Sequence, residues 1–193
     1  MSMTRALCLL LAAAAVTGCS LLRGPTETPT RFYVLTGTVA PAPARSPLAI
    51  GLGPIAFPAY LERPEFASRV ETNEFAYSQT ARWAEPLKQN FTRVLAADLV
   101  GLLGTQRVLI YPWYRSLTPD YAIAIDVTRF EPQPGGQVAL TARWVVTGSD
   151  RQLVASEVAE LTQRGGPPEQ TAAAMSALIG DLAQQIAASI PAR

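Results

Sequence analysis

The chain has 193 residues, enough for one domain whose core needs no disulfide or metal staple. Sixteen Lys and Arg face fifteen Asp and Glu, and 49% of the residues are hydrophobic, which argues against both a disordered tail and a nucleic-acid partner. There is no histidine, so a Ser-His-Asp triad and His-ligated zinc are excluded.

Residues 1–18, MSMTRALCLLLAAAAVTG, place Arg5 before an apolar run over residues 6–16. A bilayer-spanning helix needs about twenty apolar residues. This run is shorter and suits the h-region of a signal peptide. Val16-Thr17-Gly18-Cys19 closes it and resembles the bacterial lipobox, although Leu is more usual where Val16 stands. The resemblance implies that the Cys19 thiol accepts diacylglycerol and its freed amine an acyl chain, with no other cofactor. Cleavage would remove Cys8, leaving Cys19 without a partner cysteine. Ser20, where an aspartate would signal inner-membrane retention, implies the periplasmic face of the outer membrane. The expected organisation is a signal peptide (1–18), a lipidated tether (19–30) and one domain (31–193). Residues 20–30 hold two prolines and no periodicity, and when extended they reach about 35 Å.

Residues 31–36, RFYVLT, are rich in strand formers. A Pro/Ala linker follows. Residues 48–57, LAIGLGPIAF, predict a second strand with a bulge near Pro54. Residues 66–72 and 75–79 flank Asn73-Glu74 as a hairpin. Residues 83–104 carry Leu87, Phe91, Val94, Leu95, Leu99, Leu102 and Leu103 at helical spacing, with Pro86 in the first turn and Gly104 past the end. Lys88, Asn90, Arg93 and Ala97 are expected on the opposite, outward face. Short strand 107–111 precedes three alternating stretches, 120–130, 137–146 and 153–162, which predict an antiparallel meander. A last helix, about 169–190, shows Met175, Leu178, Leu182 and Ile186 at helical spacing. The expected fold is α+β: a mostly antiparallel sheet packed against two amphipathic helices in a single domain.

Catalytic patterns are scarce. Gly51-Leu-Gly53-Pro lacks the third glycine and the helix of a phosphate loop, so a bulged strand is the better reading. Glu62, Glu65, Glu71 and Glu74 are interleaved with Arg63 and Arg69, which points to a solvated, ion-paired surface. No catalytic or metal site, and no enzyme activity, is expected. Pro58–Phe66 sets Tyr60, Leu61 and Arg63 in a proline-stiffened loop. These side chains suit interface anchors, and equally a cap over the core.

Phe32-Tyr33-Val34-Leu35, Ile50-Gly51-Leu52-Gly53-Pro54, Tyr60-Leu61-Glu62-Arg63-Pro64, Arg69-Val70 and Arg82-Trp83-Ala84-Glu85-Pro86-Leu87 follow one another after the lipobox. This order resembles the PqiC-type lipoproteins, also called ABC-type transport auxiliary lipoproteins, over almost the whole mature chain. The resemblance implies a non-enzymatic role beside MCE-domain proteins and inner-membrane transport components, moving lipid between membranes and supporting envelope integrity. It does not choose between a Pqi complex and an ABC-powered transporter. Tyr60, Leu61, Arg63, Pro64, Arg69, Trp83, Glu85, Pro86 and Leu87 become the candidate partner-binding residues, and docking on a symmetric tube would suit a homo-oligomeric ring. The alternative is a structural or assembly lipoprotein of another envelope complex.

Overall fold

The computed structural model describes residues 28–43, 45–114 and 116–191. The signal peptide, Cys19 and the tether up to residue 27 lie outside them. The described chain runs β1 (Arg31–Tyr33), β2 (Ala49–Ala56), a 3-10 turn (Ala59–Leu61), β3 (Glu65–Glu71), β4 (Glu74–Trp83), α1 (Leu87–Leu103), β5 (Arg107–Ile110), β6 (Tyr121–Gln133), β7 (Gln137–Gly148), β8 (Leu153–Arg164) and α2 (Pro168–Ala188).

The architecture is α+β, two helices on mostly antiparallel strands. The strands divide into two mixed sheets rather than one: a five-stranded sheet of order β5-β2-β6-β7-β8 and a three-stranded sheet of order β1-β4-β3. β6, β7 and β8 form the expected antiparallel meander. Its alternation is the cause. Ile123, Ile125 and Val127 of β6 and Leu140, Trp144 and Val146 of β7 are buried on one face, beneath the helices. β2 is parallel to both neighbours, β5 and β6, because long connections return the chain to the same end before each pairing.

The second of those connections explains the glycines of β2. Tyr111, Trp113 and Pro119 of that connection lie against the outer face of this strand. A Cβ on Gly51 would stand 2.7 Å from the Trp113 ring and 2.9 Å from Pro119. Gly53 has φ +116°, and a Cβ there would stand 2.7 Å from Tyr111 Cβ. Only glycine lets the loop lie this close and take that backbone. The register shifts between Leu52 and Ile55, where the bulge was expected, so Ile50, Leu52 and Ile55 all face the core.

α1 turns Leu87, Phe91, Val94, Leu95 and Leu99 inward as the spacing predicts, and Gly104 ends it at φ +60°. Pro86 sits at the N-cap instead of inside the first turn, because β4 extends to Trp83 and consumes the residues assigned to the helix start. Asn90 departs from the expectation of an outward face: it is fully buried, as is Asp98. The Pro/Ala segment is not a free linker but a strap along the helices. Leu35 N–H donates to Asn90 Oδ1 (3.0 Å), Thr36 N–H to Ser176 Oγ (3.1 Å), and Thr38 and Val39 N–H to Asp98 Oδ1 (3.0 and 3.1 Å). Arg45 and Ser46 N–H then donate to the Gly104 carbonyl (2.8 and 3.0 Å). A segment without sheet or helix bonds must satisfy its N–H groups in some other way, and these side chains and the Gly104 carbonyl do so.

α2 buries Met175, Leu178, Leu182 and Ile186 against the meander. No helix among the described residues is long and apolar enough to cross a membrane.

Candidate functional site

The three-stranded sheet packs where α1 begins and β6 ends. Phe57, Phe91 and Phe130 meet edge-on beneath it, with centroids 5.2 to 6.3 Å apart. Phe66 of β3 stacks on Trp83 of β4 at 4.0 Å and 22°, and Tyr33 of β1 tilts against Phe66 at 5.1 Å. Burying such rings drives the sheet onto the body, since each contributes about 1.5–3 kcal/mol. The void left between Leu61, Phe66, Trp83, Leu87 and Met175 is about 10 Å³, room for a water and no ligand.

The polar centre of this junction is Glu131, fully buried at the end of β6. Its Oε2 accepts from Tyr60 O–H (3.0 Å) and Phe130 N–H (2.8 Å), its Oε1 from Arg69 Nε (3.3 Å) and Gln133 Nε2 (3.0 Å). A buried carboxylate persists only with such pairing. Arg69 also donates from Nη1 to the Thr72 carbonyl (2.7 Å) and lies 4.3 Å over the Phe75 ring. Burial, followed by the Glu131 charge and its hydrogen bond, pushes the Tyr60 hydroxyl up to about 12, so it stays a donor at neutral pH.

The candidate partner-binding residues are thus brought together, in and around this junction, but they face different ways. Leu61, Trp83 and Leu87 are buried in the core. Tyr60 packs its ring 4.5 Å from Phe75, and Arg69 is held by Glu131. Arg63 stacks 4.4 Å over Tyr77, reaches Glu65 at 3.5 Å, and leaves more than half its side chain exposed. Pro64 is exposed, with its carbonyl accepting Trp83 N–H at 2.7 Å. Glu85 accepts from Arg93 Nη2 at 2.6 Å, and Pro86 caps α1. Arg63, Pro64 and Pro86, with the half-buried Glu85 beside them, therefore form the part of the junction that another molecule can touch. Of the clustered carboxylates, Glu65 pairs with both Arg63 and Arg82 (3.4 Å), the ion-paired surface expected from the interleaving.

Sequence reasoning missed Glu131, Asn90 and Asp98. Glu131 pairs with a residue 62 positions away, and nothing local marks it. Asn90 and Asp98 carry a weak signal, two polar residues among the apolar spacing of α1, which only the strap explains. Cys19 lies outside the described residues. Among those residues, no group of His, Cys, Asp and Glu could hold a metal ion.

The fold and junction define a class: an α+β domain with a polar-centred hairpin cap and a strap over its helix pair. Two solved structures share the fold. An uncharacterized protein superposes with TM-score 0.69 at 18% identity, covering 86% of this chain and 100% of its own. Protein XCC0632 from Xanthomonas campestris, of the DUF330 family, superposes with TM-score 0.68 at 20% identity, covering 82% and 93%. No curated protein matches the chain. The chain belongs to the family described as ABC-type transport auxiliary lipoprotein component, which it matches over residues 33–187.

Proposed function

We propose that this protein is the outer-membrane-anchored, non-enzymatic auxiliary subunit of an MCE-type intermembrane lipid transport system, working with an MCE-domain protein and inner-membrane components in a Pqi complex or an ABC-powered transporter. The family match over residues 33–187 carries this reading, because it supports the terms lipoprotein and transport auxiliary together. Cys19 would be the anchor, held on the periplasmic face by its diacylglycerol and N-acyl chains. Several acyl chains hold firmly where one alone holds marginally, since each buried CH₂ contributes about 0.8 kcal/mol. The tether would let the body stand off the membrane and meet the end of a conduit, singly or as a homo-oligomeric ring. Arg63, Pro64 and Pro86 are the exposed members of the candidate docking set. A photocrosslinking residue in place of Arg63, in living cells, tests the reading. Capture of an MCE-domain protein is expected, with none from the same probe at Arg151 in the distant β7–β8 turn. Equal capture at both positions, or none at Arg63, contradicts the docking assignment.

A further inference from the structure

A cavity of about 420 Å³ lies on the outer face of the five-stranded sheet and meets the docking set at Arg69. Its polar rim is made by Arg69 of the hairpin, Thr128 and Arg129 of β6, Thr141 of β7, and Glu160 and Thr162 of β8, with Ala139 and Leu161 as its apolar lining.

How Arg129 comes to be there is written in the strand. Tyr121, Ile123, Ile125 and Val127 are buried in strict alternation, and the next odd position would bury Arg129. A bulge prevents this. Val127 pairs with Ala142 and Arg129 with Thr141, so Thr128 is an extra residue in β6. Both Thr128 and Arg129 are therefore exposed on the outer face, and Phe130 takes the core position. Bulges of this kind re-aim a side chain, often beside a site.

The charges around the cavity are of both signs. Arg69 is fixed from behind by Glu131, through Nε, and by the Thr72 carbonyl, through Nη1. The Thr128 hydroxyl donates to the Thr141 carbonyl (3.3 Å), which braces the bulge. Arg129, Glu160 and the Thr141 and Thr162 hydroxyls make no hydrogen bond or ion pair with the described residues. An acyl chain laid over these groups would displace their water and offer no hydrogen bond in return, so the rim suits a charged ligand better. Guanidinium groups fit phosphate oxygens in a planar fork, and a lone carboxylate across the cavity fits an ammonium.

We infer that this cavity binds a zwitterionic phosphodiester, its phosphate held by Arg129 and Arg69 with the threonine hydroxyls, and its ammonium held by Glu160. A free phosphate shares the first half of that chemistry, and a phospholipid headgroup of the ethanolamine type has both halves. The headgroup as the natural source rests on the transport reading above; the phosphate chemistry does not.

The test is calorimetric titration of the purified full-length protein in detergent with glycerophosphoethanolamine, glycerophosphoglycerol and inorganic phosphate. Saturable binding of glycerophosphoethanolamine is expected, weakened at least about tenfold by Arg129→Gln, as loss of a charged hydrogen-bond donor requires. Glu160→Gln should weaken glycerophosphoethanolamine and leave or strengthen glycerophosphoglycerol. Both residues are exposed, so neither change endangers folding. Equal affinity for all three ligands overturns the ammonium half and thereby the headgroup. No saturable binding, or binding untouched by Arg129→Gln, overturns the site. Neither result bears on crosslinking from Arg63, so this inference and the transport reading fail separately.

Discussion

Replacing Glu131 by alanine strikes the centre of the hairpin junction. The change strands four donors at once: Phe130 N–H, Tyr60 O–H, Gln133 Nε2 and Arg69 Nε, at 2.8 to 3.3 Å. Breaking a buried ion pair by removing one partner costs about 3–5 kcal/mol. Arg69 keeps 20% of its side chain exposed, so water recovers part of that cost. The expected loss is therefore near the lower end, about 3 kcal/mol. Glu131→Gln keeps the size and one acceptor and should lose about 1–2 kcal/mol. Urea titration followed by tryptophan fluorescence reads both, as midpoint shifts of about 1–3 M for the alanine variant at typical slopes of about 1–3 kcal/mol/M. A cycle with Arg69→Met should show the two losses far from additive, since each removes the same pair. If Glu131→Ala stays within about 0.5 kcal/mol of the parent, the range of an ordinary surface change, the node does not hold the junction and the reasoning fails.

Gly51→Ala drives a methyl into the Trp113 ring and Pro119, and overpacking of this kind costs about 1–3 kcal/mol. Trp113→Leu should relieve part of it, and a neutral Gly51→Ala in thermal unfolding would remove the explanation of the β2 glycines. The Asp98 carboxyl is raised above 3.8 by burial, against the lowering effect of the Val39 and Thr38 N–H bonds. A raised folded value favours the neutral acid, so its contribution is full below the unfolded value and lost as pH rises through the folded one. Asp98→Asn should therefore gain stability relative to the parent at pH 7, with the gap closing toward pH 4; an equal loss at both pH values in urea titration would refute this. Tyr60, pushed up to about 12, contributes stability that is full below pH 10 and lost between about 10 and 12. Tyr60→Phe should flatten that alkaline slope in unfolding midpoints, and an unchanged slope would assign the loss to other groups.

Most elements were legible because their patterns are local. The alternation of Ile123, Ile125 and Val127 and the spacing of Leu87, Phe91, Leu95 and Leu99 specify a strand and a helix whatever surrounds them. What was not legible depends on partners far along the chain. Asn90 reads as an outward polar residue until Leu35 arrives to use its Oδ1. The glycines of β2 read as a bulge, and the bulge is there, but Trp113 and Tyr111 supply the rest of the reason from sixty residues away. Tyr60 was singled out as an anchor-type side chain in a stiff loop, and Arg69 through its place among the carboxylates and the family resemblance. The loop reading left open whether Tyr60 was an anchor or a cap, and the structure directs both side chains to Glu131. The extra residue Thr128 interrupts alternation by a single position, too small a signal to separate from the end of a strand.

The central claim is tested most directly by purifying the lipidated protein from gently solubilised envelopes and quantifying the co-purifying proteins against a Cys19→Ala control. The transport reading expects an MCE-domain protein and an inner-membrane transport component, enriched with the lipidated form and depleted with the control. A lipidated protein recovered from the outer membrane with neither of them would contradict it.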